Sequence, residues 1–417
     1  MLKEKVDVTV IGGGPAGMAA ALEADSLGKN TLLIERNPSL GGILQQCIHD
    51  GFGLQTFKEQ LSGPQYAERF IEKLAKSRVR VMTDTMVTDL KEGRVRGQNP
   101  KDGMVDIESK TTILAMGCRE RTRNQIFIPG TRPSGIMTAG KAQYFLNLEG
   151  YLPGKKAVIL GSGDIGLIMA RRMHLEGIDV EGVYEVMDHP GGLQRNIEQC
   201  LHDYNIPLHL SSTVTQVFGK NHLEGLEVCK LDKNGDPIEE SRRYIACDLL
   251  VLSVGLILEN ELSLKAGIEL SKASKGPLLD ESFMTSLPGI FAAGNVSIVY
   301  DLVDYVSQSA EFAARGAVNY IDGKRPVKKP LPILPGDRVS LLIPNFYHPD
   351  YKGDSLSLYL RVTEEKFKAQ LSLSQGGKLI KKIKQLVVRP AQMVVVRLGK
   401  EELSKLNDKD PIVISME

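Results

Sequence analysis

Six glycines of this chain fall into two identical patterns. Their spacing is typical of turns that hold a ligand on which chemistry takes place. They occupy the glycine positions of two G-x-G-x-x-G motifs, Gly12, Gly14, Gly17 and Gly161, Gly163, Gly166. In such a turn the first glycine lets the chain leave a strand sharply, and the second offers bare backbone to a pyrophosphate. The third lets the following helix pack closely on the strand. An acid follows each motif at a similar distance, Glu35 in one copy and Glu185 in the other, where a carboxylate accepts hydrogen bonds from ribose hydroxyls.

The elements predicted around each motif are those that a dinucleotide-binding fold requires. Each copy reads as strand, glycine turn, helix and second strand: Val6–Val10, Met18–Leu27 and Thr31–Ile34 in the first, Lys156–Leu160, Leu167–Glu176 and Val180–Val186 in the second. A single G-x-G-x-x-G match is weak, because any glycine-rich tight turn satisfies it. Two matches in full context favour two nucleotide sites.

Composition excludes several other classes of protein. At 417 residues the chain is long enough for two or three domains of roughly 150 residues. A net charge of +1 supplies no global field for nucleic acid or an anionic membrane. The longest apolar stretch, Leu249–Leu258, is too short to span a bilayer, and the N-terminus leads directly into a strand, so no signal peptide is expected. Five cysteines without a C-x-x-C pair predict no metal site, no disulfide framework and a reducing cytoplasm.

Three further segments resemble the superfamily of two-dinucleotide flavoproteins that includes thioredoxin and glutathione reductases. Thr111–Gly117 resembles the crossover into an inserted domain, Leu250–Gly255 the return crossover, and Thr285–Asn295 the strand that touches the flavin ribityl chain. The superfamily usually has Asp where this chain has Asn295. The resemblance implies an α/β fold of two Rossmann-like three-layer domains, the second inserted in the first. It also implies FAD in the first domain and NAD(P)H in the second.

The domain boundaries follow from the same reading. We expect a split FAD-binding domain at 1–120 and 251–325, an NAD(H)-binding domain at 121–250, and a small β-rich C-terminal domain at 331–417. Clean alternation in Ser355–Val362 and a hairpin turn at Gly376-Gly377 predict a sandwich or barrel for the last of these. Its lysines Lys378, Lys381, Lys382 and Lys384 are interpreted as a solvated face. Dimerisation and docking onto a partner are equal alternatives for the domain.

The motifs and the resemblance together assign residues to each cofactor. The FAD site is expected to contain Gly12, Gly14, Pro15, Ala16, Gly17, Glu35, Arg36, Gly41, Gly42, Gln46, Ala115, Gly117, Gly294, Asn295, Asp301 and Val303. The nicotinamide site is expected to contain Gly161, Gly163, Asp164, Ile165, Gly166, Glu185 and Gly255. Apolar residues at helical spacing predict a helix starting near Asp301, whose positive end points at the flavin in the superfamily. Glu185, with no arginine close after it, favours NADH over NADPH.

The cysteines leave two interpretations open. Cys47, near His49, is the candidate redox or charge-transfer thiol, whereas the favoured interpretation makes its loop a wall of the flavin pocket. Cys118 is interpreted as a packing residue. The segment Arg119–Arg121 is expected either to contact FAD phosphate or a partner, or to form a hinge salt bridge.

A closer resemblance concerns Gly117–Thr122 and Ile128–Gly140, with Gln143. These segments resemble the FAD/NAD(P)-binding subunits of multi-subunit flavoenzymes related to hydrogen cyanide synthase, opine dehydrogenase and heterotetrameric sarcosine oxidase. Gly41–Gly53 and Leu160–Arg172 are similar to NADH oxidase-like proteins. Those proteins accompany a flavoprotein of the glycerol-3-phosphate oxidase/dehydrogenase type and a small metal-binding subunit, and the resemblance implies such partners for this chain.

The motifs and resemblances leave three functions open. The first is an FAD-dependent NADH oxidoreductase subunit that exchanges electrons with a partner flavoprotein or O2. The second is a self-sufficient peroxide or disulfide reductase that relies on Cys47. The third is a non-catalytic nucleotide-binding scaffold subunit.

Overall fold

The computed structural model describes residues 1–417 and divides into two compact units. The first unit is discontinuous and contains Met1–Gln45, Asp50–Cys118 and Leu258–Glu417. The second contains Gln46–His49 and Arg119–Ile257. The chain thus leaves the first unit after Cys118 and returns to it at Leu258, close to the two crossovers predicted from the sequence.

The chain contains 27 strands and eight α-helices. Up to the first crossover they are, in chain order, β1 (Leu2–Ile11), α1 (Pro15–Ser26), β2 (Thr31–Ile34), β3 (Asp50–Phe52), β4 (Leu61–Ser62), α2 (Gly63–Ala75), β5 (Arg80–Met82), β6 (Met86–Lys91), β7 (Arg94–Asn99), β8 (Gly103–Leu114) and β9 (Cys118–Glu120). Up to the return crossover they are β10 (Ile136–Thr138), α3 (Ala139–Tyr144), β11 (Lys156–Leu160), α4 (Asp164–Leu175), β12 (Asp179–Tyr184), α5 (Gln194–Cys200), β13 (Leu208–His209), β14 (Ser212–Phe218), β15 (Gly225–Lys230), β16 (Arg243–Ile245), β17 (Leu249–Leu252) and β18 (Leu256–Leu258). The remainder are α6 (Glu261–Ala266), β19 (Ile290–Ala292), α7 (Val303–Ile321), β20 (Leu331–Pro335), β21 (Val339–Ile343), β22 (Phe346–Tyr347), β23 (Ser355–Val362), β24 (Lys366–Gln375), β25 (Lys378–Val388), β26 (Val394–Gly399), α8 (Lys400–Leu403) and β27 (Ile412–Met416).

A mostly parallel sheet organises the first unit. Its strand order is β5-β2-β1-β8-β7-β6, and β19 adds to β8, so that β5, β2, β1, β8 and β19 run parallel. Helix α1 is rich in alanine and packs against α7, whose residues Ala310, Ala313 and Ala317 are also fully buried. Small side chains let the two helices approach closely beside the sheet. The carboxyl ends of β1, β2 and β8 therefore meet at one edge, where α1 begins.

The second unit repeats this plan with a smaller parallel sheet. Its order is β10-β17-β11-β12-β13, with α4 connecting β11 to β12. A separate antiparallel sheet of β14, β15 and β16 completes the unit. Both glycine motifs thus stand between a central parallel strand and the helix that follows it, as the sequence predicted.

The C-terminal part of the first unit is β-rich, as expected. A five-stranded sheet of order β22-β20-β27-β24-β25 and a three-stranded sheet of order β21-β23-β26 enclose a core of aliphatic side chains. Gly376 and Gly377 form the turn between β24 and β25 with φ of 56° and 76°, which confirms the predicted hairpin.

Strand β23 differs from the alternation predicted for it. Its predicted inward residues are buried, but Ser357 and Tyr359 on the other face are buried too. Tyr359 joins Ile343 and Met393 in the hydrophobic core that contains β1 and α7. The tyrosine hydroxyl donates a hydrogen bond to the side-chain oxygen of Gln308 at 2.9 Å. The strand is covered on both faces, a tertiary effect that the sequence periodicity does not show.

No helix of the structure combines the length and the hydrophobicity needed to cross a bilayer.

Candidate dinucleotide sites

The first glycine turn contains two glycines that the backbone itself requires. Gly12 has φ of 110°, and a Cβ placed on it would lie 2.4 Å from the Ala115 carbonyl oxygen. A Cβ on Gly17 would lie 1.7 Å from the Gly12 carbonyl oxygen. Because neither position has room for a methyl group, both glycines are explained by the packing of α1 against β1 and β8.

Gly14, the second glycine of the motif, has no such explanation. Its φ of −75° and ψ of −172° are open to any residue, and no atom lies within 4 Å of a Cβ placed on it. It is the N-cap of α1 and provides no side-chain cap, although Asp, Asn or Ser would stabilise the helix there. Its bare backbone therefore suits a group from outside the chain, and a helix N-terminus favours an anion.

Two other segments converge on the same helix end. Gly41 donates its backbone N–H to the Gly13 carbonyl at 2.9 Å, and a Cβ on Gly42 would lie 3.2 Å from the Gly14 Cα. A Cβ on Gly294 would lie 2.7 Å from the Cβ of Ala16. The structure thus brings Gly14, Gly42 and Gly294, all predicted for the FAD site, together around the start of α1.

Glu35 is the acidic residue beside this turn. It is buried, and its Oε2 accepts a hydrogen bond from the Gly13 N–H at 2.6 Å while Oε1 accepts one from the Asn37 N–H at 2.8 Å. These bonds fix the carboxylate next to the glycine turn, where a ribose would lie. Arg36, also predicted for the site, is exposed.

The second glycine turn divides its roles in the same way. A Cβ on Gly161 would lie 2.1 Å from the Ser253 carbonyl oxygen, and one on Gly166 would lie 2.4 Å from the Gly161 carbonyl oxygen. Gly163, the N-cap of α4, has φ of −63° and ψ of 163°, and its nearest neighbour would be 3.8 Å away. As in the first turn, only the middle glycine is required neither by its backbone conformation nor by packing within the chain.

Glu185 is held even more firmly than Glu35. Its Oε2 accepts hydrogen bonds from the N–H and the hydroxyl of Ser162 at 2.8 and 2.6 Å, and its Oε1 accepts one from the Met187 N–H at 3.0 Å. The carboxylate is buried and its orientation is fixed. Asp164 accepts bonds from the Leu193 N–H and the Asn196 side chain, both at 2.7 Å, and its predicted contact with the nucleotide stays a prediction. In this structure it anchors the loop before α5.

Sequence reasoning missed Ser162 and the pair Gly191-Gly192. The Ser162 hydroxyl also accepts a hydrogen bond from the Gly191 N–H at 2.8 Å, so this loop borders the second turn. A signal was available, because Gly191 follows Glu185 by six residues, as Gly41 follows Glu35. The internal repeat therefore extends beyond the glycine motifs and the acids.

The remaining predicted residues lie at the crossovers and around α7. Gly117, Gly255 and Gly294 all have positive φ, and Ala115 is buried at the end of β8. Pro15 and Val303 are the first residues of α1 and α7, and Ile165 lies in the first turn of α4. The Asn295 side-chain oxygen accepts a hydrogen bond from the Tyr300 N–H at 3.1 Å, and its nitrogen lies 3.8 Å from the Cys118 sulfur.

Asp301 is engaged by the β-rich part of its own unit. Its carboxylate accepts hydrogen bonds from the Arg361 guanidinium and from the Met393 N–H. The acid in the first turn of α7 is Asp304, which accepts a hydrogen bond from the Thr56 N–H at 2.8 Å. Asp301 therefore ties β23 and the segment before β26 to the start of α7, and its predicted contact with FAD stays a prediction.

Cys47 is a buried thiol within the second unit. Its side chain hydrogen-bonds the Gln143 side-chain oxygen at 3.7 Å, and the neighbouring Gln46 donates to the same oxygen at 3.1 Å and to the Gly140 carbonyl at 2.8 Å. Burial raises the pKa of the Cys47 thiol to about 12. A thiol in this state is protonated at neutral pH, whereas nucleophilic cysteines are thiolates.

The state of Cys47 can be measured directly. We expect its alkylation by iodoacetamide at pH 8 to be at least about tenfold slower in the folded protein than in the urea-unfolded chain, since little thiolate is present. Peptide mass spectrometry of time points gives the rate for each cysteine, and Cys118, which is only half-buried, serves as the internal comparison. Equal rates for Cys47 in the folded and unfolded chain would contradict the buried thiol.

The segment Arg119–Arg121 supplies contacts within the second unit. Glu120 accepts a hydrogen bond from the Gly140 N–H at 2.8 Å, and Arg121 donates its N–H to the Gly255 carbonyl at 3.1 Å. The Glu120 bond favours a structural role for that side chain at the crossover, and the predicted contact of the segment with FAD phosphate or a partner stays a prediction.

The two glycine turns, each at a helix start that favours an anion, define the class of proteins with two dinucleotide-binding folds. Residues 6–317 match the family model described as pyridine nucleotide-disulphide oxidoreductase. The chain belongs to this family.

Individual relatives agree with the family assignment. The chain is 26% identical over 313 residues to an opine oxidase subunit of Agrobacterium tumefaciens, covering 70% of this chain and 62% of that protein. It is 27% identical to the hydrogen cyanide synthase subunit HcnB of Pseudomonas protegens, covering 64% and 60%. It is 25% identical to an alkyl hydroperoxide reductase subunit of Staphylococcus aureus, covering 77% and 59%. The chain therefore spans about 60% of the length of these relatives.

Solved structures confirm the predicted α/β fold class. The thioredoxin reductase of T. acidophilum superposes with a TM-score of 0.62 at 20% identity, covering 77% of this chain and 100% of that one. The thioredoxin reductase of Lactococcus lactis gives a TM-score of 0.62 at 21% identity, covering 76% and 99%.

Proposed function

We propose that this chain is an FAD-dependent NADH oxidoreductase subunit. Hydride passes between NAD(H) and FAD, and electrons are exchanged with a partner flavoprotein or with O2. The observation that carries the proposal is the pair of N-cap glycines, Gly14 and Gly163, which neither backbone conformation nor packing requires. Each is the point at which a pyrophosphate meets a helix start in dinucleotide-binding folds.

The residues around each turn fit the two cofactors. In the first unit Gly14, Gly42 and Gly294 border the place for the FAD pyrophosphate, and Glu35 is fixed beside it for the adenosine ribose. In the second unit Gly163 and Glu185 take the same roles for NAD(H). The flavin and the nicotinamide supply the redox chemistry when bound, and the protein supplies orientation and exclusion of water.

The orientation of Glu185 supports NADH rather than NADPH as the substrate. Three hydrogen bonds from Ser162 and Met187 hold its carboxylate in place next to the glycine turn. A carboxylate there accepts the ribose 2′-hydroxyl and repels a 2′-phosphate.

Membership in a larger complex is part of the proposal. The Agrobacterium and Pseudomonas relatives are both named as subunits. We place this chain in a cytoplasmic hetero-oligomer with a second flavoprotein of the glycerol-3-phosphate oxidase/dehydrogenase type and a small metal-binding subunit. The β-rich part, residues 331–417, is available for docking or dimerisation.

A peroxide or disulfide reductase is the second candidate, favoured by the similarity to the staphylococcal alkyl hydroperoxide reductase protein. Such chemistry needs a reactive thiol. None of the five cysteines forms a disulfide, four are buried, and the pKa of Cys47 is raised to about 12. A Cys47→Ser variant that retains full NADH turnover would remove this candidate.

The experiment for the main proposal is anaerobic stopped-flow mixing of the FAD-loaded full-length chain with NADH. We expect loss of the visible flavin absorption band, with half-saturation at a concentration at least about tenfold lower for NADH than for NADPH. Fast bleaching would also exclude the non-catalytic scaffold. A chain that binds no FAD, or whose flavin NADH never reduces, would contradict the proposal.

A further inference from the structure

Two carboxylates and one imidazole are brought together in the first unit, away from either glycine turn. Asp280 and Glu281 lie in the segment before β19, and His348 follows β22. The two segments are joined by backbone bonds, since Asn345 and Phe346 both donate to the Leu279 carbonyl, at 2.7 and 3.1 Å. The fold therefore places His348 beside Asp280 and Glu281, although it lies 67 residues after Glu281 in the sequence.

The donor atoms lie at distances close to those of a metal site. The His348 Nδ1 is 3.1 Å from a Glu281 Oε2 and 3.9 Å from an Asp280 Oδ2, and all three ligand atoms lie within 4.8 Å of one another. Ligands bound to one ion at about 2.0–2.2 Å stand roughly 3–3.5 Å apart. A shift of up to about 1.3 Å in the Asp280 carboxylate would bring the three atoms to that separation.

Other hydrogen bonds orient the carboxylates beside the imidazole, and both Glu281 oxygens lie 3.1 Å from the His348 Nδ1. Asp280 Oδ1 accepts bonds from the N–H groups of Ser282 and Met284 at 2.8 and 2.9 Å, while its Oδ2 is the atom nearest His348. Glu281 Oε2 accepts one from the His348 N–H at 3.0 Å. Such outer bonds fix ligand orientation in metal sites.

The two acids of the group share one ion-pair partner. The side chains of Asp280 and Glu281 are only 8% and 0% exposed, and His348 is the partner of both in the ion pairs that they form. One imidazole therefore faces two buried acids. A buried carboxylate without a full counter-charge is costly, and a divalent ion would remove that cost.

The two acids of the group also border a cavity. Asp280 and Glu281 line a cavity of about 840 Å³, together with Asp350 and Asp354. An ion and its remaining water ligands can enter from this side.

We propose that Asp280, Glu281 and His348 bind one divalent transition-metal ion, of the Mn²⁺ or Zn²⁺ class, with water completing its coordination. Mixed carboxylate and imidazole donors suit these ions. The ion would fasten the segment around β22 to the segment before β19, which is a structural role separate from the two dinucleotide sites.

The test is Mn²⁺ binding by the chelator-treated full-length chain, followed by the electron paramagnetic resonance signal of free Mn²⁺. We expect the free signal to fall until a single ion is bound per chain, and Zn²⁺ to displace it. We also expect Mn²⁺ to raise the melting temperature of the chain, because an ion that binds only the folded state stabilises it. No saturable binding to the unaltered chain would overturn the proposal, whatever the variants do.

Two histidine variants test whether the ion binds at this group. His348→Gln keeps a hydrogen-bonding side chain and is expected to weaken Mn²⁺ binding at least about tenfold, in line with the loss of a ligand. The matched control is His202→Gln, whose imidazole pairs with Glu198 at an exposed position and whose loss is expected to leave binding unchanged. Equal binding by the His348 variant would overturn the assignment. Because neither readout involves flavin or NADH, failure of the metal site is distinguishable from failure of the proposed function.

Discussion

Gly14→Asp is expected to give a folded chain that no longer retains FAD. A side chain at this N-cap meets no atom within 4 Å of its Cβ, and its backbone conformation is open to any residue. Aspartate is also among the best N-cap residues, so the free protein is expected to lose no stability. Its carboxylate, however, occupies the position of a pyrophosphate. Two like charges about 4 Å apart cost about 4 kcal/mol at an effective dielectric near 20, which corresponds to at least about a 100-fold loss of affinity.

The matched variant is Gly163→Asp in the second turn. It makes the same change at an N-cap with equal room, where the nearest atom to a Cβ is 3.8 Å away. We expect this variant to retain FAD, measured from its absorption after gel filtration, but to lose flavin reduction by NADH at least about 100-fold. Circular dichroism melting of both variants checks the fold. Retention of stoichiometric FAD by the Gly14 variant would contradict the assignment of the first turn.

Arg361→Met is expected to cause a large loss of stability. The guanidinium bonds the carboxylate of Asp301, whose side chain is 9% exposed, and it also donates to the carbonyls of Val299, Pro390 and Ala391. Removing it leaves a buried carboxylate without its cation. The free energy of unfolding is expected to fall by about 3–5 kcal/mol, as measured by urea denaturation.

Two further variants distinguish the cost of an unpaired buried charge from the loss of an ordinary ion pair. Asp301→Asn combined with Arg361→Met is expected to lose less than the single arginine variant, since no buried charge is left unpaired. Lys405→Met removes an exposed ion pair with Glu401 and is expected to change the free energy of unfolding by less than about 1 kcal/mol. Equal changes in the free energy of unfolding for the Arg361 and Lys405 variants would contradict a large stabilising role for the Asp301–Arg361 ion pair.

The fold and the two turns were predictable because their signals are local. Glycine spacing, the acids at the ends of β2 and β12 and the alternation of β23 are each contained within a few tens of residues. The roles of Asp301 and Asp164 were not predictable in this way, because their partners Arg361 and Asn196 are set by tertiary packing. The burial of the second face of β23 was not predictable either, because it depends on tertiary packing.

The group formed by Asp280, Glu281 and His348 lies beyond sequence reasoning for the same reason. Its histidine lies 67 residues after the adjacent acids, and acid pairs of this kind are common on surfaces. Gly191-Gly192 is a different case, since its six-residue distance from Glu185 repeats that of Gly41 from Glu35. Alignment of the two halves of the sequence would have found it.

The discontinuity of the first unit has a consequence for how the chain folds as it is synthesised. Residues 119–257 contain every strand of the second parallel sheet, so this segment can fold once it has left the ribosome. The first sheet waits for β19, and its core also includes Tyr359 and Met393. The N-terminal residues must therefore stay incompletely packed until most of the chain has emerged. On the ribosome, the segment that begins later is expected to become protease-resistant first.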